Sequence, residues 1–337
     1  MFLQCSKLCV PNGRRKTINC CAKEDGLTIW QNLPEHKDLS QKKHIFVRLN
    51  NTSMDIIKNK EFSGDRPLYA RHGLYLENVS IGTGESALKE GSDIEAVRCE
   101  FKGKYPFWEC DRFSIRDCIF REGARAAIWY TRNCEMRDCL IEAPKMFRRM
   151  RGARLESIRF TLAQETFWDC SEVSIKNVEA EKADYIFMHT EEIDIDGFTL
   201  KGNYSFQYAR NVVIRNANMD TKDAFWESEN VTVYDSRIDG EYLGWYSKNL
   251  RLVNCVIGGS QPLCYCENLI LENCRFEEDA DLAFEYSSVK AEIQGAVPSV
   301  KNPSSGRIIA DSYGEIIIDG NQKAPADAEI ITRDVQL

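Results

Sequence analysis

Hydrophobic and polar positions recur along this chain with a period of 19 to 21 residues. The segments LYLENVSI, FSIRDCIF, VSIKNVEA, VVIRNANM, VTVYDSRI, LRLVNCVI and LILENCRF share the pattern apolar-x-apolar-x-(Asn/Asp)-small-x-apolar. The first position of each unit falls at Leu74, Ile94, Phe113, Cys134, Ala153, Val173, Ile193, Val212, Val231, Leu250 and Leu269. Period-two alternation, without a helical period of 3.6, predicts short strands joined by tight turns.

The second half of each unit repeats as well, and we call its large apolar positions the Phe column. Its members are Phe107, Ile128, Phe147, Phe167, Phe187, Phe206, Phe225, Gly244, Leu263 and Phe284. Stacked units of this length predict an all-β, single-stranded parallel β-helix (solenoid) of about eleven coils. A leucine-rich repeat is the alternative, but a unit of 19 residues leaves little room for its convex segment.

Two smaller columns complete the expected coil. The recurrent Asn or Asp marks a bend, where a short polar side chain tolerates left-handed geometry. Cysteines recur directly after this bend, and we expect them to be small inward hydrophobes, not metal ligands. These are Cys99, Cys118, Cys139, Cys255 and Cys274.

Composition excludes several classes of protein. No apolar run approaches the roughly 18 residues of a membrane span, so we expect no membrane partner. The net charge of -8 argues against nonspecific nucleic-acid binding. Charge is nevertheless uneven, with 15 basic against 9 acidic residues over 98–160 and 11 against 24 over 161–290. The start lacks the features of a secretory signal, and we expect a cytoplasmic protein with reduced thiols.

An ordered set of blocks carries a resemblance to a known family. The blocks are GESALKE, KYPFWE, RAAIWY, APKMFR, GNYSFQ, KDAFWES, GEYLGWYS, QPLCY and DLAFEYS, spread over residues 84 to 287. In these blocks the chain resembles a family of uncharacterised bacterial proteins, a domain of unknown function, over about residues 55 to 330. The resemblance implies a right-handed, pectin-lyase-like parallel β-helix and brings no established reaction.

Residues 1–53 lie outside both the repeat and the resemblance. We expect a non-repeat extension that is disordered or follows a start site assigned too far upstream. A small metal module using Cys5, Cys9, Cys20 and Cys21 is the alternative, although a paired C-x-x-C spacing is missing. Residues 54–337 then form the β-helix domain, with an N-terminal cap at 54–73 and a C-terminal cap at about 289–337.

Candidate binding residues follow from treating the Phe column as inward-facing strand positions. Flanking residues should then point outward. The positions one residue after the Phe column form what we call the aromatic face: Trp108, Trp129, Arg148, Trp168, Met188, Gln207, Trp226 and Trp245. Exposed tryptophans are costly in water and indicate a ligand or a partner. We therefore expect either an oligosaccharide, with rings stacking on sugar faces, or a homo-oligomer contact through this face.

A polar edge lies two or three positions before the Phe column. It contains Lys104, Tyr105, Arg125, Lys145, Glu165, Asp184, Tyr185, Asn203, Tyr204, Lys222, Asp223, Glu241, Tyr242, Gln261 and Asp281. Tyrosines and charged groups of this kind suit a sugar, and the basic end suits an acidic one. Of these residues we assign Glu165, Asp184, Tyr185, Tyr204, Lys222 and Tyr242 to substrate binding.

Catalytic candidates on this edge depend on the reaction. Asp223 and Glu241 lie on adjacent coils and are candidates for the carboxylate pair of a glycoside hydrolase. Lys145 and Arg148 are candidate bases for a polysaccharide lyase. The same residues also fit a charged, ion-paired ladder without catalysis. We expect no metal and no cofactor. The functional alternatives are a carbohydrate-binding or carbohydrate-processing protein and a noncatalytic structural or protein-interaction scaffold.

Overall fold

The structure is a computed structural model that describes residues 54–320 and 323–333, and the backbone of residues 19–23 and 26–30. Contacts divide the chain into two units, Met1–Ser53 and Met54–Leu337. In the first unit, strand β1 (Asn19–Lys23) pairs antiparallel with β2 (Gly26–Trp30). The side chains of Cys5, Cys9, Cys20 and Cys21 are outside the described residues, so the metal-module hypothesis stays untested.

The second unit consists of short strands and one 3-10 turn, Glu122–Ala124. The strands are β3 (Asp55–Lys58), β4 (Glu61–Phe62), β5 (His72–Glu77), β6 (Ser80–Ile81), β7 (Ser92–Val97), β8 (Glu100–Phe101), β9 (Asp111–Arg116), β10 (Ile119–Phe120), β11 (Arg132–Ile141), β12 (Arg151–Phe160), β13 (Ser171–Glu181), β14 (Glu191–Lys201), β15 (Arg210–Asp220), β16 (Glu229–Tyr234), β17 (Arg237–Asp239), β18 (Lys248–Val253), β19 (Val256–Gly258), β20 (Leu269–Phe276), β21 (Ser288–Ile293), β22 (Ala296–Lys301), β23 (Ser305–Ala310), β24 (Ser312–Ile317) and β25 (Glu329–Thr332).

These strands stack in register as a parallel β-solenoid of about 15 turns, which confirms the predicted fold class. The principal rungs run in the order β3, β5, β7, β9, β11, β12, β13, β14, β15, β16, β18, β20, β21, β23 and β25. The predicted number of eleven coils was too low. The additional rungs are β3 at one end and β21, β23 and β25 at the other, where the sequence departs from the repeat pattern. The right hand of the coil stays a prediction.

The predicted bend adopts left-handed backbone geometry, and so does a second bend five residues before it. Asn254 has φ 55°, and Asn249 at the other bend also has φ 55°. Their amides form ladders along the solenoid: Asn254 Nδ2 donates to Asp235 Oδ1 at 2.8 Å, and Asn249 Nδ2 donates to Asn230 Oδ1 at 2.9 Å. The bend residues are thus structural, as their position in the repeat indicates.

The segment around the Phe column is not a β-strand, which corrects the sequence-based expectation. Left-handed φ occurs at every second residue, as at Asp223 (53°), Phe225 (60°) and Glu227 (49°). This alternation turns successive N–H groups to opposite neighbours: Phe225 N donates to Ser205 O of the preceding coil, and Asp223 N to Glu241 O of the following one. As a consequence, the residue before each Phe, for example Ala224, is also buried, whereas the residue after it faces outward.

The core is a column of stacked rings flanked by small residues. Phe167 lies between Phe147 and Phe187, with centroid distances of 4.5 and 4.8 Å, and Phe206 stacks on Phe225 at 5.1 Å before Gly244 ends the run. The cysteines predicted to point inward are buried free thiols. Burial raises the pKa of Cys170 to about 12, so this thiol is protonated at neutral pH. Among the described residues, no helix is long and apolar enough to cross a membrane.

Candidate functional site

The first half of the aromatic face is a closed stack. Trp108 and Trp129 stack at 5.2 Å with their planes 10° apart. The guanidinium carbon of Arg148 then lies 4.5 Å from the ring centroid of Trp129 and 4.5 Å from that of Trp168. The ring faces between these neighbours are therefore covered and are closed to sugar stacking. The assignment of Trp108, Trp129 and Trp168 to substrate binding stays a prediction.

The indole N–H groups of this stack are also occupied. Trp108 Nε1 donates to the carbonyl of Ala126 at 2.6 Å, Trp129 Nε1 to that of Lys145 at 2.7 Å, and Trp168 Nε1 to that of Tyr185 at 2.6 Å. Each acceptor belongs to the next coil, two positions before its Phe column residue. These tryptophans therefore join successive coils, which gives them a structural role whatever else they bind.

Trp226 departs from this pattern. Its Nε1 donates at 3.3 Å to the carboxylate of its neighbour Glu227, not to the next coil. It stacks less closely, 5.8 Å from Trp245 with planes 29° apart, and on its other side the ladder holds Gln207, where no described ring stacks on it. Trp245 regains the usual bond, donating to Gln261 O at 2.8 Å. Trp226 is thus the least constrained indole of the ladder.

Tyrosines surround Trp226 and Trp245. Tyr185 stacks on Tyr204 at 4.7 Å on the polar edge, and Tyr242 meets Trp245 edge-on at 4.9 Å. These predicted binding residues are all partly exposed, so the structure brings them to one surface. Asp184 has a local role, since its Oδ1 accepts the backbone N–H of Asn203 at 2.8 Å.

Asp223 is the unusual residue of the polar edge. It is only 7% exposed and is the one charged residue among the buried side chains that the structure describes. Its carboxylate forms no hydrogen bond or ion pair with any described residue. Burial raises the pKa of Asp223, the charge of Glu241 adds to the shift, and Lys222 opposes it. A carboxyl group with a raised pKa is suited to give up a proton as a general acid.

Glu241 and Lys222 lie beside Asp223 but differ from it in environment. Lys222 Nζ is 2.9 Å from Glu241 Oε2, and the two side chains are 40% and 50% exposed. This ion pair raises the pKa of Lys222, and Nζ also lies 5.0 Å from the ring centroid of Tyr242. Two neighbouring carboxylates in such different surroundings can divide the roles of acid and ionised partner.

The lyase candidates form a separate cluster four coils away. Glu165 receives Lys145 Nζ at 3.0 Å and Arg148 Nη2 at 3.3 Å. A guanidinium stays protonated in proteins, which makes Arg148 unsuited to act as a base. Lys145 is already engaged in an ion pair with Glu165. The cluster is arranged to hold charge, and no feature of it selects a proton acceptor.

A family model described as a protein of unknown function (DUF3737) matches residues 55–331. The chain belongs to the DUF3737 family. The match spans the whole described solenoid except its last residues and agrees with the resemblance seen in the repeat blocks. No curated protein matches the chain.

Several solved structures are similar to the DUF3737 chain at low identity. The A-module of the mannuronan C-5 epimerase AlgE4 of Azotobacter vinelandii is 11% identical, with 83% of this chain and 91% of that chain covered and a TM-score of 0.28. A tailspike protein of E. coli bacteriophage HK620, solved with a pentasaccharide, is 9% identical, with 82% and 72% covered and a TM-score of 0.37. The catalytic domain of a GH87 alpha-1,3-glucanase, solved with nigerose, is 8% identical, with 83% and 64% covered and a TM-score of 0.31.

The DUF3737 solenoid also presents aromatic residues that the sequence analysis did not select. They lie two positions after the Phe column, where Tyr246 stacks on Tyr265 at 4.7 Å and His189 on Tyr208 at 4.7 Å. Tyr246 is 42% exposed. Their spacing of about one unit was a usable signal, but strand alternation placed them on the wrong side of the coil. No group of three or more potential metal ligands occurs among the described side chains.

Proposed function

We propose that this DUF3737 protein binds an oligosaccharide on the second half of the aromatic face, around Asp223 and Trp226. The observation that carries the proposal is the mostly buried side chain of Asp223, whose carboxylate has no hydrogen-bond or ion-pair partner among the described residues. Burying a charged group without a partner costs stability, and such groups occur where a ligand supplies the missing hydrogen bonds. The donors that solvate the Asp223 carboxylate therefore come from outside the chain, from water or from the hydroxyls of a bound sugar.

The surroundings of Asp223 fit a sugar better than an apolar ligand. Tyrosine and tryptophan combine apolar surface with a polar group, as sugars do. The less constrained ring of Trp226 offers a face on the Gln207 side, and the Lys222–Glu241 pair provides both signs of charge at the rim. The chemistry proposed within this site is glycoside hydrolysis, with Asp223 as the acid and Glu241 as the ionised carboxylate. We place this activity in the cytoplasm and expect neither nucleic acid nor membrane as partner.

The alternative is a noncatalytic scaffold that uses the same face for a protein contact or self-association. The first half of the face favours it, because the indole N–H groups of Trp108, Trp129 and Trp168 are already bound within the chain. Such a stack needs no ligand to exist. Oligosaccharide binding therefore requires Trp226 and Asp223 to contact a sugar, whereas the scaffold function does not.

Tryptophan fluorescence of the full chain, titrated with neutral and acidic oligosaccharides, tests the proposal. We expect a saturable change that Trp226→Ala abolishes and Asp223→Asn weakens at least tenfold. Trp108→Phe, at the far end of the face, is the matched control and should leave affinity unchanged. Sedimentation of the same variants addresses the scaffold: a dimer that Trp226→Ala dissociates, together with no response to any sugar, would refute the binding proposal.

Bond cleavage is tested separately on any oligosaccharide that binds. If Asp223 and Glu241 act as proposed, Asp223→Asn and Glu241→Gln should each lower the hydrolysis rate at least a hundredfold. If the wild-type protein bound an oligosaccharide tightly without hydrolysing it, the binding function would stand and the catalytic roles of Asp223 and Glu241 would be refuted.

A further inference from the structure

We propose that Arg148, clamped between Trp129 and Trp168, is a subsite for a sugar carboxylate, so that the bound oligosaccharide carries a uronic acid near this end of the face. This inference rests on the proposed oligosaccharide binding and names the class of ligand. It adds a second contact point to the one around Asp223 and Trp226.

The geometry holds the guanidinium rigidly. Its carbon lies 4.5 Å from the centroids of both indoles, and backbone bridges join Trp129 to Arg148 and Arg148 to Trp168. The side chain is only 20% exposed. A planar cation fixed in this way presents its N–H groups in one direction and loses little entropy on binding, which suits bidentate recognition of a carboxylate.

Pairing of Arg148 within the chain is incomplete. Its one side-chain hydrogen bond to a described residue is the 3.3 Å contact from Nη2 to Glu165 Oε2, and its Nε is buried without a partner. A guanidinium has five N–H donors, so most of its capacity is unused. Glu165 also accepts Lys145 Nζ at 3.0 Å and can keep that ion pair when a ligand carboxylate replaces it at Arg148.

The local charge also favours an anion. Arg148 and Lys145 together outweigh Glu165 by one positive charge. Lys104 and Arg125, on the polar edge of the two preceding coils, form no ion pair with any described residue. The other end differs, since the three carboxylates of Asp223, Glu241 and Asp281 on the polar edge there outweigh Lys222. An anionic group is attracted to the Arg148 end and repelled from the Asp223 end.

The spacing between the two ends sets the length of the ligand. Four coils separate Arg148 from Trp226, and adjacent coils lie about 4.8 Å apart, which gives roughly 19 Å. A monosaccharide is too short to reach both. The ligand is therefore an oligosaccharide of several residues lying along the solenoid axis, with a carboxylate at its Arg148 end.

Calorimetry with a matched pair of ligands tests the subsite: a β-1,4-linked hexaglucuronate and cellohexaose, which differ in charge and share a linkage. We expect the full chain to prefer the uronate about tenfold or more. Arg148→Trp should remove that preference while continuing the indole stack. Arg148→Lys should lose most of the preference, because an ammonium group cannot donate two parallel N–H bonds to a carboxylate. Glu165→Gln should strengthen uronate binding, since it weakens the competing carboxylate.

Arg149→Gln is the control for net charge. Arg149 is exposed, pairs at 3.7 Å with Asp169 and lies over the ring of Tyr130, not between Trp129 and Trp168. Equal losses in Arg149→Gln and Arg148→Trp would overturn the subsite in favour of unspecific attraction. Equal affinity of the wild-type protein for both ligands would also overturn it, while the proposed function stood. Preference for a sulfated oligosaccharide over the uronate would refute the carboxylate, and binding of no sugar would remove the proposed function together with this inference.

Discussion

The two halves of the aromatic face contain the same residue types but differ in the interactions that these residues make. From Trp108 to Trp168 every indole is stacked and bonded to the next coil, and the one cation is held between two rings. Around Trp226 the indole bond to the next coil is lost, the stack is looser, and Asp223 is buried without a partner. The difference shows that a ladder of tryptophans is by itself a structural device. A binding site is indicated where a residue of the ladder lacks the interactions that the other members make.

The largest effect should come from the core beneath the two halves. Phe167→Ala removes a ring stacked on both sides, whereas Phe225→Ala removes one stacked on Phe206 alone, because Gly244 follows it. We expect losses of about 3 to 5 kcal/mol, with Phe167→Ala the more destabilising by roughly 1 kcal/mol. Urea unfolding measures both variants. Equal losses would mean that ring stacking adds nothing beyond burial.

The indole bonds give the next contrast. Trp129→Phe removes the donor to the Lys145 carbonyl and should cost about 1 kcal/mol, while Trp226→Phe removes only a contact with the exposed Glu227 and should cost close to nothing. The same unfolding experiment compares them. If Trp226→Phe lowered the free energy of unfolding as much as Trp129→Phe, the view that Trp226 lacks a stabilising bond to the next coil would be contradicted.

Replacing the carboxylates of Asp223 and Glu165 by amides should change stability in opposite directions. Because burial raises the pKa of folded Asp223, ionisation penalises the folded state; the penalty is absent below the unfolded pKa and complete above the folded one. Asp223→Asn should therefore stabilise the protein at pH 7, by on the order of 1 kcal/mol, and lose that gain in acid. Glu165→Gln, which breaks two ion pairs, should instead destabilise at pH 7. Thermal unfolding across pH decides between these signs.

The smallest effect belongs to the exposed pair at the rim. Lys222→Met and Glu241→Gln each break one ion pair between side chains that are 40% and 50% exposed, worth at most about 1 kcal/mol. High salt should abolish the difference from the wild-type protein. A larger, salt-resistant loss would mean that the pair supports the fold of the second half, not its binding surface.

The repeat made the fold predictable, and the prediction failed in two places, around the Phe column and at the ends of the solenoid. Period-two alternation correctly identified the rungs from β5 to β20, the bends and the inward cysteines. It failed around the Phe column, because alternating left- and right-handed residues resemble a strand in sequence but turn Ala224 inward and Tyr246 outward. The rungs β3, β21, β23 and β25 were missed because their segments do not carry the repeat pattern.

The candidate site was predictable only as a set of residues. The positions of Asp223 and Trp226 in their columns follow from the repeat, and so does the proximity of Asp223 to Glu241. The burial of Asp223 and the lost indole bond of Trp226 do not, because they depend on how side chains in adjacent coils fill the space between them. Similarly, a column position occupied by arginine among tryptophans gave no sign that Arg148 would be clamped between them.

Because the coils stack at a constant spacing, the distance between two residues along this surface is set by the number of coils between them. Each coil contacts mainly its neighbours, so a gene duplication that adds one unit lengthens the molecule without disturbing its cross-section. Units gained between Arg148 and Asp223 would move the two apart in steps of about 4.8 Å, while units gained at either end would leave their separation unchanged. Evolution can thus alter the reach of such a face in whole-coil increments and keep the chemistry at each end intact.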